Sequence, residues 1–339
     1  PAPTHGRESL FEPVAQQMLA QLAQGTCVQL KDLSVIFSGG SFEQIRAVDH
    51  LSLTMYPGEI FVLLGHNGAG KTTAISVLSG LLAPTSGEVV VCGLRLPGAL
   101  REVRRSMGLC PQQNVLFGDL TVREHVQLSC AIAGRHVANG DSVHGLLASA
   151  GLGCYSECST RDLSGGLKRK LLACIALAGD PRFVLLDEPT SGMDPFSRRA
   201  LWDFLRVRKD GRVVLLTTHF MDEADVLGDR VAILRSGQAQ ACGSPQFLKR
   251  RFGCGYVLTV VMKEQSDSRE PVKALLSEAF GGLDIGMTGT SKEMLVSVPF
   301  ELESRLPRAL DAICQSKKAL NVATFGVSLT SLEDVFLKV

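Results

Sequence analysis

No stretch of this 339-residue chain approaches the run of ~20 apolar residues that a helix needs to cross a bilayer. The longest, Leu171 to Ala178, is broken by Gly179-Asp180-Pro181 and reads as a buried helix. No secretory signal opens the chain. A formal net charge of +1 lacks the strong basic excess of a nucleic-acid footprint, so no nucleic-acid partner is expected. The local clusters Arg101 to Arg105 and Lys249 to Arg251 read as solvated helix faces. The ten cysteines have no paired CxxC spacing. They read as reduced, buried small hydrophobes of a cytosolic protein rather than as disulfides or metal ligands.

What is present is the composition of an ordinary globular protein, 45% apolar and 20% charged. The length suits about two domains. The chain begins at Pro1 without an initiator Met, which predicts a piece of something longer.

The richest stretch is Gly65-His66-Asn67-Gly68-Ala69-Gly70-Lys71-Thr72-Thr73. It fits G-x-x-x-x-G-K-[ST], follows the strand-like run Ile60 to Leu64 and precedes a helix-like segment, Thr72 to Leu82. Glycines let the backbone curl so that successive N–H groups surround phosphate oxygens, with a helix dipole behind them. Lys71 is placed to reach the β- and γ-phosphates and the Thr72 hydroxyl to sit on Mg²⁺. A bound nucleoside triphosphate is expected.

Around this loop the pattern alternates. A helix is expected over Ser9 to Gln24, with Ser9 and Glu12 forming a capping box. Strands are expected at Val28–Leu30, Leu51–Met55, Ile60–Leu64 and Glu88–Val91, separated by Pro57-Gly58 and Ser86-Gly87 turns. Helical pattern runs from about Thr121 to Gly151. Short apolar runs suited to buried parallel strands follow at Phe183–Leu186, Val213–Leu216 and Val231–Leu234. Strands alternating with helices predict an α/β core. From Tyr256 the texture becomes β-α-β-α-β, a second, small α+β domain of ferredoxin-like type. The expected division is a leader over 1–24, a nucleotide-binding domain over 25–255 and the small domain over 256–339.

Two further motifs carry chemistry. Asp187 ends the run from Phe183 and Glu188 follows at once, so Asp187 can hold Mg²⁺ while Glu188 faces the γ-phosphate and its attacking water. Leu163-Ser164-Gly165-Gly166-Leu167 opens a helix, Leu167 to Ala178, and its N–H groups and Ser164 hydroxyl make a second anion site. One nucleotide needs one cradle from its own subunit, so the second makes sense for a nucleotide bound to a partner.

In order, Gly65–Thr73, Pro111-Gln112, Leu163–Leu167, Leu185–Glu188, Ser191-Gly192-Met193-Asp194 and Thr218-His219 resemble the nucleotide-binding domain of an ABC transporter. The resemblance spans roughly residues 25–248. Cys110 to Phe117, His219 to Asp225 and the C-terminal Thr330 to Val339 resemble the A subfamily, largely lipid exporters. The resemblance implies a P-loop NTPase core with antiparallel β and helical subdomains, followed by a regulatory domain. The junction Gly255-Tyr256-Val257-Leu258-Thr259 looks more like the first half of such a transporter than the second.

It also implies roles. Phe37 stacks on adenine, where many relatives have Tyr. Gly65, His66, Asn67, Gly68, Ala69, Gly70, Lys71, Thr72 and Thr73 hold ATP, with Ser164, Gly165 and Gly166 acting on the partner's ATP. Thr72, Gln112 and Asp187 hold Mg²⁺; Glu188, His219, Lys71 and Gln112 are catalytic, and Asp194 carries contacts across a dimer. The signature departs from the commonest family form, with Leu167 where Gln is usual, so closure across the dimer is the step it affects. Implied partners are a second nucleotide-binding domain, transmembrane domains and, through them, a lipid, at the cytoplasmic face of a membrane. Two other classes share these motifs. A soluble ABC ATPase acting on nucleic acid or ribosomes usually carries two such domains or a long coiled coil, and neither is present. A regulatory module that binds ATP without hydrolysing it is disfavoured because every expected catalytic position is filled.

Overall fold

The computed structural model describes residues 10–38, 44–134, 139–253, 255–263, 269–281, 287–289 and 293–339. They fall into two compact units, 1–245 and 246–339, a division ten residues ahead of the one expected at 255.

The first unit contains two sheets. Strands Ile60–Leu64, Phe183–Asp187 and Val213–Thr218 are buried at every position, which is what uninterrupted apolar runs produce in a parallel sheet covered on both faces. The sheet order is Gln238–Gly243, Arg230–Arg235, Ile60–Leu64, Val213–Thr218, Phe183–Asp187, Met107–Cys110. All neighbours run parallel except the edge strand Gln238–Gly243. A second, antiparallel sheet has the order Gln44–Met55, Val28–Ser38, Ser86–Val91, Leu94–Leu96. Its first two strands run longer than the apolar pattern implied. Register shifts near Asp32 and His50, both with positive φ, break the alternation that marks a strand in sequence. One core joins Val28, Leu30, Leu53 and Val89 of this sheet to Phe61, Leu63, Leu185 and Leu215 of the parallel one.

Helices Val122–Ile132 and Asn139–Ser149 occupy the segment read as helical from Thr121. Thr121 and Glu124 form a capping box at its start. The N-terminal helix departs from expectation: it spans Gln16–Ala23, after Pro13, whose ring and missing N–H suit the start of a helix and not its interior. Ser9 lies outside the described residues. Glu12 is not a helix cap; its N–H donates to the Cys242 carbonyl at 2.8 Å and its carboxylate accepts from the Ser244 hydroxyl at 3.0 Å.

The second unit is a four-stranded antiparallel sheet of order Met287–Gly289, Glu293–Val298, Tyr256–Met262, Val322–Leu329. Helix Arg269–Ala279 follows its first strand in the chain and helix Leu306–Ser316 its third. Strand Met287–Gly289, absent from the sequence reading, completes a β-α-β-β-α-β chain order, the ferredoxin-like arrangement. Leu258, Val260, Val296, Leu276 and Ile313 form its core.

Candidate active site

Strands Ile60–Leu64, Val213–Thr218 and Phe183–Asp187 are parallel neighbours in register, so the residues after their carboxyl ends emerge side by side. That edge is where open α/β sheets bind ligands. Gly65, Glu188 and His219 are the residues delivered there. The loop after Leu64 closes by an Ala69 N–H bond to the His66 carbonyl at 3.1 Å, and Gly237 N–H donates to the Ala69 carbonyl at 3.0 Å. Gly70 has φ 102°, and a Cβ there would stand 2.3 Å from the Ala47 carbonyl oxygen, so both conformation and space require glycine. The helix it opens runs Lys71–Leu78.

Lys71 is almost fully buried, and its Nζ donates to the carbonyls of Gly65 at 2.7 Å and His66 at 3.0 Å. Nζ also lies 3.8 Å from Glu188 Oε1. Burial lowers the Lys71 pKa, an effect the Glu188 and Asp187 carboxylates oppose. Asp187 Oδ1 accepts from Thr217 Oγ1 at 2.6 Å and from Thr72 Oγ1 at 3.4 Å. Burial raises the Asp187 pKa, and those two hydroxyls pull it back. Two carboxylates face one ammonium here. With the Thr72 hydroxyl, the donors are hard oxygens beside excess negative charge, a set that fits Mg²⁺.

Glu188 is 7% exposed and adopts φ 47°, the left-handed region that costs a side-chain-bearing residue roughly 1–2 kcal/mol. Its neighbours hold it there. Glu188 N–H donates to Thr217 Oγ1 and to the Thr217 carbonyl, each at 3.1 Å. Its carboxylate accepts from Gln112 Nε2 at 3.2 Å, and His219 Nδ1 lies 3.2 Å from the other oxygen. The His219 ring packs on Phe220 at a centroid distance of 4.1 Å, and Phe220 in turn lies under the Arg198 guanidinium.

The structure thus gathers Lys71, Thr72, Gln112, Asp187, Glu188 and His219. His66, Asn67 and Gly68 are exposed at the loop tip and Thr73 is half-buried. Phe37 lies one residue before the end of its strand, opposite Ile45, and is 43% exposed. Ser164 caps the helix Gly165–Leu177 through the Leu167 N–H at 3.4 Å, and Ser164 and Gly165 are exposed. No hydrogen bond among the described residues joins Ser164–Gly166 to the cluster. Asp194 caps the helix Pro195–Val207 through Ser197 N–H.

Sequence reasoning passed over Thr217 and Arg169. Arg169 sits in the charged run Lys168-Arg169-Lys170, yet it is 3% exposed. The available signal was helical spacing: Arg169 shares a stripe with Leu172, Ala173 and Ala176, all buried.

The ABC transporter family profile matches residues 48–191. Among solved structures, the ATP-binding subunit of an ABC transporter is 30% identical with a TM-score of 0.59, over 67% of this chain and 93% of its own. The chain belongs to the ABC transporter family. A dimeric bacterial ABC transporter cassette is 27% identical with a TM-score of 0.58, over 64% of this chain and 98% of its own. Among curated relatives, the rat phospholipid-transporting ATPase ABCA3 is 43% identical over 92% of this chain. The mouse retinal-specific phospholipid-transporting ATPase ABCA4 is 38% identical over 98% of it. These relatives place the chain among A-subfamily nucleotide-binding domains. It spans only 18% and 16% of their lengths.

Proposed function

We infer that this chain is the ATP-binding and ATP-hydrolysing module of an A-subfamily ABC transporter that moves phospholipid across a membrane. The carrying observation is the convergence of Lys71, Asp187, Glu188 and His219 at the carboxyl ends of three neighbouring strands. Loop N–H groups and the start of helix Lys71–Leu78 receive the phosphates. Lys71 Nζ, held by its own loop carbonyls, is poised to exchange those partners for phosphate oxygens. Thr72 and Asp187, with Gln112 beside them, would hold Mg²⁺, which offsets phosphate charge when bound. Glu188 orients and deprotonates the attacking water, and His219 fixes Glu188 and contacts the γ-phosphate. Phe37 offers its exposed ring to adenine.

Ser164, Gly165 and Gly166 support a head-to-tail dimer, because their helix N-terminus is exposed and, among the described residues, makes no hydrogen bond to the chain's own phosphate site. The partner is a second nucleotide-binding domain whose ATP they engage. A groove of about 780 Å³, lined by exposed Val115, Phe117 and Ile132 together with Arg101 and Arg104, supports docking of a transmembrane part. No helix among the described residues is long and apolar enough to cross a membrane. As the ATPase part of a membrane transporter, the module works at the cytoplasmic face. The test is the full-length protein in phospholipid vesicles: ATP, and not a non-hydrolysable analogue, is expected to drive phospholipid between leaflets. Hydrolysis without lipid movement would overturn the substrate.

A further inference from the structure

Arg169 projects from the second turn of the helix Gly165–Leu177 into the protein. Among the described residues its guanidinium donates only to backbone carbonyls, and to four of them. Nη1 bonds Pro111 at 2.9 Å and Gln112 at 2.8 Å. Nη2 bonds Asp187 at 3.3 Å and also Glu188. Nε has no partner among the described residues, so the terminal nitrogens carry the whole load. One buried cation therefore grips the backbone on both sides of the Gln112–Glu188 side-chain contact. The Glu188 carbonyl it holds belongs to the residue whose left-handed backbone aims the carboxylate at His219.

A rigid planar fork suits this span, since its two ends can serve two carbonyl pairs at once. An ammonium is a point donor and cannot. Loss of the fork would take a donor from the half-buried Pro111 and Gln112 carbonyls and from the buried Asp187 and Glu188 carbonyls, leave the Glu188 carbonyl only the Ser191 N–H, and free Glu188 to relax toward ordinary φ.

We propose that Arg169 is a positioning residue for hydrolysis: it locks the backbone of Glu188 and Gln112 to the helix opened by Ser164. The proposal rests on Glu188 acting on the attacking water. It also means that the helix presenting Ser164–Gly166 to a partner's nucleotide is tied, one turn further on, to the backbone of this chain's own Glu188.

The test uses steady-state ATP hydrolysis and nucleotide binding in the full-length protein. Arg169→Ala is expected to lower kcat by about 10–100-fold, the scale set by small misplacements of a reacting group. KM and nucleotide affinity are expected to change less than about twofold, because the phosphate loop is untouched. Methylguanidinium added to Arg169→Ala should restore a large part of the lost kcat, a response that general loss of packing does not give. Arg169→Lys, which keeps the charge and folds more readily, should fall between wild type and Arg169→Ala in kcat. An unchanged kcat in Arg169→Lys, or an Arg169→Ala defect blind to methylguanidinium, overturns the proposal. Wild-type protein that hydrolyses no ATP would instead overturn the underlying reading, and is seen before any Arg169 variant is made.

Discussion

His219 Nδ1 lies 3.2 Å from Glu188 Oε1, although 31 residues separate them in the chain. The pairing exists because strands Phe183–Asp187 and Val213–Thr218 are neighbours with Asp187 opposite Thr217. His219→Ala removes the ring that faces both the carboxylate and the expected γ-phosphate. Its kcat should fall by about 10²–10³-fold, the usual cost of one transition-state donor, with little change in ATP binding. Steady-state hydrolysis beside a binding titration reads this, and equal losses in both would assign His219 to binding.

Glu59 makes stability depend on pH. It is 3% exposed, and burial pushes its pKa from 4.5 up to about 7 despite the Arg230 guanidinium 3.5 Å away. The folded chain thus keeps a proton that the unfolded chain releases. Stability is highest below the unfolded value and falls as pH rises through the window from 4.5 to about 7. The full span is on the order of 3 kcal/mol. Glu59→Gln keeps an acceptor for the Tyr56 N–H, at 2.8 Å in the native protein, and should flatten this decline. Unfolding midpoints of both proteins across that window check it; parallel curves would contradict it.

Gly108 sets how closely strand Met107–Cys110 approaches helix Gly165–Leu177. A Cβ at Gly108 would stand 1.7 Å from the Ala176 carbonyl oxygen, a backbone atom that cannot rotate away. Gly108→Ala should therefore cost roughly 1–3 kcal/mol by overpacking. Denaturant midpoints measure it, and an unshifted midpoint would mean that helix and strand part freely.

The parts legible in sequence are those that local pattern controls. Ile60–Leu64, Tyr256–Met262, Glu293–Val298 and Val322–Leu329 were readable to the residue from apolar texture. The phosphate loop and Asp187-Glu188 were readable from motif spacing, and His219 from the family resemblance alone. Strands Leu94–Leu96 and Met287–Gly289 were not, because three residues at a sheet edge carry too little pattern. Helix Pro195–Val207 had its signals, an Asp194 cap and a Pro at its first position, but they fall inside a motif already read for another purpose. Arg169 and Thr217 escaped for a different reason. Their partners are backbone groups and a carboxylate at least 18 residues away, and only the folded sheet brings those together.

The most direct measurement is Glu188→Gln in the full-length protein, with nucleotide binding and hydrolysis followed together. The amide keeps the shape of the side chain but cannot take a proton from water. ATP should still bind, and turnover should fall to background. Turnover near the wild-type rate would contradict the role of Glu188 and, with it, the account of this site as a hydrolytic one.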